Sequence, residues 1–163
     1  MAKVANNKPP VFSWVECRDW LDSRDFVLNL QTARLGSALL VHGRSGVGKR
    51  QFIGSALAEI FCETSRACGA CAACRQIVAG IHPEVLWCDG EEQIKLETVA
   101  SIQEHLAYRS QSSASGRSVP RVAVLIGAER LNLNSANRLL KILEEPPEGS
   151  YLILSSSHLR QLA

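Results

Sequence analysis

The sequence has no apolar run approaching the roughly 18 residues that a bilayer-crossing helix requires. Its N-terminal stretch MAKVANNKPP carries two lysines with no apolar segment behind them. Neither a membrane span nor a secretory leader is expected, so the chain reads as soluble and cytoplasmic, with reduced thiols and a frayed lead-in. Charge of one sign is also scarce: 18 Lys and Arg against 16 Asp and Glu leave a formal net charge of +2. Bulk electrostatics therefore marks neither a nucleic-acid groove nor an anionic membrane surface, and any DNA contact must be local or indirect. Aromatic residues are few, at 6%, and none stands among the clustered cysteines as a platform for stacked bases. No internal repeat is visible.

What is present is enough for one core. A length of 163 residues with 46% hydrophobic and 21% charged residues suits a single globular unit over 1–163. Short apolar runs at 38–42, 85–88, 122–126 and 151–154 read as strands. Segments with apolar residues at three- and four-residue steps at 49–61, 94–108 and 135–143 read as helices, as do one or two helices within 13–35. On 49–61 the residues Phe52, Ile53, Ala56, Leu57, Ile60 and Phe61 fall on one side. A short helix is expected over 74–79, and the Ser- and Gly-rich stretch 111–120 as an exposed loop. Strands alternating with helices imply a parallel sheet covered on both faces.

The first strand runs directly into GRSGVGKR at 43–50. Gly43, Gly46, Gly48 and Lys49 fit the phosphate-loop pattern G-x-x-x-x-G-K, in which backbone N–H groups and the start of a helix converge on a phosphate and the lysine acts as a point charge. The pattern fails at its last position, where Arg50 replaces the Ser or Thr whose hydroxyl ligates Mg²⁺. Two readings of the loop stay open: a seat for a nucleotide, and a tight strand-to-helix turn kept for packing. The strand that should end in metal-holding and water-polarising acids, RVAVLIGAERL at 121–131, has Ile126 and Gly127 there instead. Glu129 follows too late to substitute, because a strand advances about 3.3 Å per residue, and it reads as a solvated loop residue. No catalytic residue is assigned, and no useful ATPase activity is expected from this chain alone.

Four of the six cysteines, Cys62, Cys68, Cys71 and Cys74, fall within thirteen residues at the spacing C-x5-C-x2-C-x2-C. Reduced cysteines in this pattern suit a tetrahedral Zn²⁺, two-residue steps letting a knuckle or helical turn present successive sulfurs to one ion. Gly69 supplies backbone freedom, and Ala70, Ala72 and Ala73 leave room. Four thiolates leave no position for water, so the zinc would be structural, held in a small insertion at 62–74. Cys17 and Cys88 read as core residues.

Three segments together resemble a known family: RLGSALLVHGRSGVGK at 34–49, the cysteine cluster, and NRLLKILEEPPEGSYLILSSS at 137–157. The last is similar to the N-A-L-L-K-x-L-E-E-P-P signature of bacterial clamp-loader subunits, AAA+ proteins of the DNA polymerase III holoenzyme. GIHPE at 80–84 is similar to the family's Gly-x-His-Pro-Asp turn. Motor subunits (γ and τ) keep an intact phosphate loop and an Asp-Glu pair; with Arg50, Ile126 and Gly127 the chain resembles the δ′ type instead.

The resemblance implies a three-layer P-loop NTPase fold of AAA+ type, with a parallel sheet flanked by helices and a zinc module projecting from it. It places Ser156 at a polar sensor position and makes the ATP loop a degenerate one. It implies a rigid, non-hydrolysing stator that joins motor subunits (γ/τ) and δ, and reaches the sliding clamp and primed DNA through that complex, with no membrane partner. A Ser-Arg-Cys motif and further lid and collar domains would follow Ala163, so the chain is expected to be about the first half of such a subunit. In the helix over 137–143, Leu139, Leu140 and Leu143 read as one core face, and Lys141, Glu144 and Glu145 as a solvated or inter-subunit face. Two rivals remain: an active P-loop nucleoside-triphosphatase or kinase, resting on Lys49 and the glycines, and a zinc-dependent nucleic-acid-binding module. Neither explains the LEEPP block.

Overall fold

The structure, a computed structural model, describes residues 37–89, 93–108 and 119–158. The helices expected within 13–35, Cys17 among them, and most of the loop expected at 111–120 lie outside the described residues. Four strands form one parallel sheet in the order β1-β4-β3-β2, with β1 Ala38–His42, β2 Val85–Asp89, β3 Arg121–Ile126 and β4 Ser150–Ser156. Register is continuous across it: Ala123 stands beside Leu152 and Leu86, and Ala38 beside Leu152 from the other side.

Strand pleating sends alternate side chains to opposite faces, and two cores result. Val122 and Val124, with Val85, Trp87 and Ile153, meet α1 (Lys49–Phe61) through Ile53 and Leu57, and α2 (Ala72–Ala79) through Cys74 and Ile77. Ala123 and Leu125, with Cys88 and Leu152, meet α3 (Leu96–Ala107) through Val99, Ile102 and Leu106, and α4 (Leu133–Glu144) through Leu139 and Ile142. The three layers and the parallel sheet are those expected. Cys88 is buried in the second core, as its strand position implied.

Some boundaries and faces differ from the sequence reading. Helix α4 begins at Leu133, two residues earlier than the apolar pattern shows, because the Asn132 side chain accepts a hydrogen bond from Ser135 N–H at 2.8 Å and caps it. Its core face is Ser135, Leu139 and Ile142, while Leu140 is 51% exposed. Leu140 therefore does not share the core face expected for it with Leu139 and Leu143: adjacent helical residues diverge by about 100°, and Leu139 is buried with Ile142, with Leu143 packed at the edge. Residue Ile94 lies outside α3, paired in an isolated bridge with Leu131. On α1 the pattern holds better, with Ile53, Ala56 and Leu57 fully buried and Phe52 and Ile60 packed at the edge of the same core.

Candidate phosphate loop and metal centre

All four strands run the same way, so their carboxyl ends meet along one edge of the sheet, where α/β folds place their ligand sites. The loop from Gly43 to Gly48 lies at that edge. Gly46 and Gly48 have φ of 77° and 91°, the left-handed backbone that lets the chain turn from strand to helix in so few residues. Gly43 N–H donates to the Ser156 carbonyl at 3.3 Å, tying the loop to the end of β4. Lys49 reaches back over the loop: its Nζ donates to the carbonyls of Gly43 (2.7 Å) and Arg44 (3.0 Å) and to Ser157 Oγ (3.0 Å). An ammonium has three N–H groups, and these three acceptors engage all of them.

The residue after Lys49 does something a Ser or Thr could not. Arg50 donates a charge-assisted hydrogen bond from Nη1 to Asp89 Oδ2 at the end of β2, and its guanidinium lies 5.9 Å from the Trp87 ring centroid. Asp89 Oδ1 has a second cation, Arg130, at 3.7 Å. Where acids were sought at the end of β3, the chain instead curls back. Gly127 has φ of 77°, and Arg130 donates from Nη2 to the Ile126 carbonyl at 2.9 Å. A Cβ at Gly127 would stand 2.1 Å from that Nη2, so glycine both permits the curl and leaves room for the arginine.

Glu129 is not the solvated residue expected. Its carboxylate accepts from Ser157 N–H at 3.3 Å, and Ser157 is itself held by Lys49. Burial alone would raise its carboxyl, but its own backbone N–H, the Ser156 hydroxyl, Ser157 N–H and Arg130 outweigh that and hold it below the usual range. Residue counting along β3 missed this, because the short 3-10 turn at Ala128–Arg130 folds Glu129 back toward the loop. Ser156, expected at a sensor position, is fully buried at the end of β4, where its carbonyl accepts from Gly43 N–H. Asp89, Arg130 and Ser157 were not singled out from sequence. Asp89 had a readable signal, an acid closing an apolar strand at the carboxyl edge of a parallel sheet.

The four predicted metal ligands come together between α1 and α2. Cys62 ends α1, Cys71 caps α2, Cys74 lies within α2, and the ligand atoms of all four lie within 4.8 Å of one another. A tetrahedron with Zn–S bonds near 2.3 Å has S···S edges of about 3.8 Å, so this donor set fits a zinc ion with small adjustments. Three backbone N–H groups point at sulfurs, each at 3.4 Å: Cys68 N to Cys62 Sγ, Cys71 N to Cys68 Sγ, and Cys74 N to Cys71 Sγ. The turns need left-handed backbone, at Gly69 as expected and also at Ser65 and Ala67.

Burial works against ionisation of the Cys62 thiol, but the Cys68 N–H, the Thr64 hydroxyl and further backbone donors overcome it and bring the thiol down to about 5. Cys71 is lowered likewise, against its burial, by Cys74 and Glu63 N–H. Cys74 is pushed up, first by burial and then by its neighbours Cys71 and Cys62. A cluster that favours two thiolates and resists a further one at the same place is one that a dication stabilises.

The fold and the two sites define a class: a phosphate-loop α/β domain of the AAA+ type, with a four-cysteine module set between its first and second strands. The sequence model of the family described as "DNA polymerase III, delta subunit" matches residues 22–163. The chain belongs to that family and is a δ′-like clamp-loader subunit. It is 35% identical over 127 residues to "DNA polymerase III subunit delta'" of Pseudomonas aeruginosa, a match covering 76% of this chain and 38% of that protein. The protein of the same name from Yersinia pestis is 34% identical over 143 residues, with 83% and 41% covered. "DNA polymerase III subunit tau" of Escherichia coli is 30% identical over 136 residues, covering 82% of this chain and 20% of that one. Among solved structures, a γ-subunit-related protein of Thermotoga maritima shares the fold with a TM-score of 0.56 at 19% identity, over 84% of this chain and 41% of that one. The chain thus spans about two fifths of the length of the δ′ relatives.

Proposed function

We propose that this chain forms the loop-bearing domain of a stator: a clamp-loader subunit that hydrolyses no ATP itself and gives its motor neighbours (γ/τ) and δ a fixed surface to work against. In that role it serves the loading of the sliding clamp onto primed DNA in the cytoplasm, as a non-catalytic component of the DNA polymerase III holoenzyme.

The observation that carries this reading is the pairing of Arg50 with Asp89. Phosphoryl transfer by a phosphate loop relies on a metal bridging two phosphate oxygens, held by the hydroxyl after the lysine and by an acid on a neighbouring strand. Here a guanidinium stands in the hydroxyl's position, and its carboxylate partner is already neutralised. Ile126 and Gly127 offer no acid at the end of β3. Glu129 is near, but it is bonded to Ser157 N–H rather than turned toward an attacking water. Gly43, Gly46, Gly48 and Lys49 then serve as inherited architecture, a rigid strand-to-helix turn at the edge of the sheet. Cys62, Cys68, Cys71 and Cys74 would hold a structural zinc, whose only chemistry is to tie α1 to α2.

The test is assembly. Purified full-length protein mixed with motor and δ subunits is expected to migrate with them as one complex in gel filtration, and to be required for ATP-dependent clamp loading. Elution as a separate species, or clamp loading at full rate without it, would reject the assignment.

A further inference from the structure

The Mg²⁺ that phosphate-loop folds use does not fit the residues around this loop. We infer that Arg50 and Arg130, sharing Asp89, occupy its place as built-in cations, so that the loop excludes a divalent metal and any polyphosphate entering it does so without one. The inference rests on the degenerate-loop reading above and adds which ligand chemistry the site accepts.

Geometry and charge agree. Arg50 sits at the sequence position of the metal-ligating hydroxyl, on the first turn of α1. Its guanidinium is drawn to the carboxyl end of β2 by Asp89 and lies near the face of Trp87. Arg130 approaches the other Asp89 oxygen while its Nη2 also donates to the Ile126 carbonyl. The side chains of Arg50, Asp89 and Arg130 are only 29%, 23% and 32% exposed, so their interaction is shielded from bulk solvent more than a surface pair would be. With Lys49, which shares Ser157 with Glu129, three cations stand at this edge of the sheet against the two carboxylates of Asp89 and Glu129. A metal dication entering this group would meet net positive charge and no unengaged acid, whereas a polyphosphate anion would meet the charge it needs. Displacing Arg50 would also break its contact with Asp89, so the exclusion is structural as well as electrostatic.

The experiment compares calorimetric titrations of ATP into the intact protein in chelator-free buffer without added Mg²⁺ and in excess Mg²⁺. The wild type is expected to give the same result in both. Arg50→Thr, which supplies the hydroxyl and releases Asp89, is expected to respond to ATP about tenfold more strongly when Mg²⁺ is present. Wild-type binding tightened about tenfold by Mg²⁺ would overturn the inference. So would a folded Arg50→Thr protein indifferent to the metal.

An independent readout needs no variant. Mn²⁺ added with ATP is expected to leave the amide resonances of Gly48, Asp89 and Ile126 in the wild type unbroadened, and selective broadening there would be fatal. Metal-tightened binding without turnover would remove this inference and leave the stator reading standing.

Discussion

At the residue scale, His82 is the position whose chemistry is most clearly set by its surroundings. It lies in the turn between α2 and β2, 9% exposed, with its ring 4.4 Å from that of Phe61 and its Nδ1 accepting from Glu84 N–H. Burial lowers it to about 4, while an unfolded histidine titrates near 6.5. Between those values the unfolded chain binds a proton that the folded one refuses, so stability is full above about 6.5 and declines as pH falls toward 4. His105 is lowered too, by burial and by Arg121, and adds to the same slope. The expected loss attributable to His82 is on the order of 3 kcal/mol by pH 4. Urea midpoints of wild type and His82→Gln, measured through that window, are expected to show a flatter pH dependence in the variant. Equal slopes would mean that His82 is not buried in its neutral form.

From sequence the GIHPE segment reads as a turn, one similar to the family's Gly-x-His-Pro-Asp, with no buried role for its histidine. The fit of its histidine against Phe61 depends on how α1 ends at Cys62, which local sequence does not reveal. Arg50 is a similar case. Its oddity within the loop was legible, but its partner Asp89 lies 39 residues away on β2, the edge strand opposite β1, which Arg50 reaches because α1 packs across the sheet face.

At the scale of elements, α2 is the most dependent on its surroundings. Eight residues are too few for a helix stable by itself, and its N-terminus is capped by a sulfur, Cys71 Sγ accepting from Cys74 N–H. A zinc ion on the four cysteines would fix that cap and close the turn over 62–71 in one step. About one zinc per chain is therefore expected in protein purified without chelators, and Cys71→Ser is expected to lower both metal content and melting temperature, the latter by at least about 5 °C. A preparation with under about 0.5 zinc per chain, folded and equally stable, would count against the site.

The elements themselves were largely readable, because β3 and β4 alternate between two buried faces and α1 keeps one apolar stripe. Errors arose where a side-chain cap or the helical phase decided the outcome. Asn132 starts α4 at Leu133, before the apolar stripe begins, and Leu140 has the hydrophobicity of a core residue but points outward.

At the scale of the whole molecule, the parallel sheet gathers the loop, Asp89, Gly127 and Ser157 at one edge, and there the chain closes its own contacts. Lys49 is bonded to the loop and Ser157, Glu129 to Ser157, and Arg50 and Arg130 to Asp89. A site so satisfied from within is suited to holding a shape rather than cycling through nucleotide states. That is the property the proposed stator role calls for, on a fold this chain shares with its δ′ and τ relatives. The most direct test is steady-state phosphate release from ATP by the purified full-length protein with Mg²⁺. The account predicts no release above the protein-free background, unchanged by Lys49→Ala; Mg²⁺-dependent turnover that Lys49→Ala abolishes would contradict it.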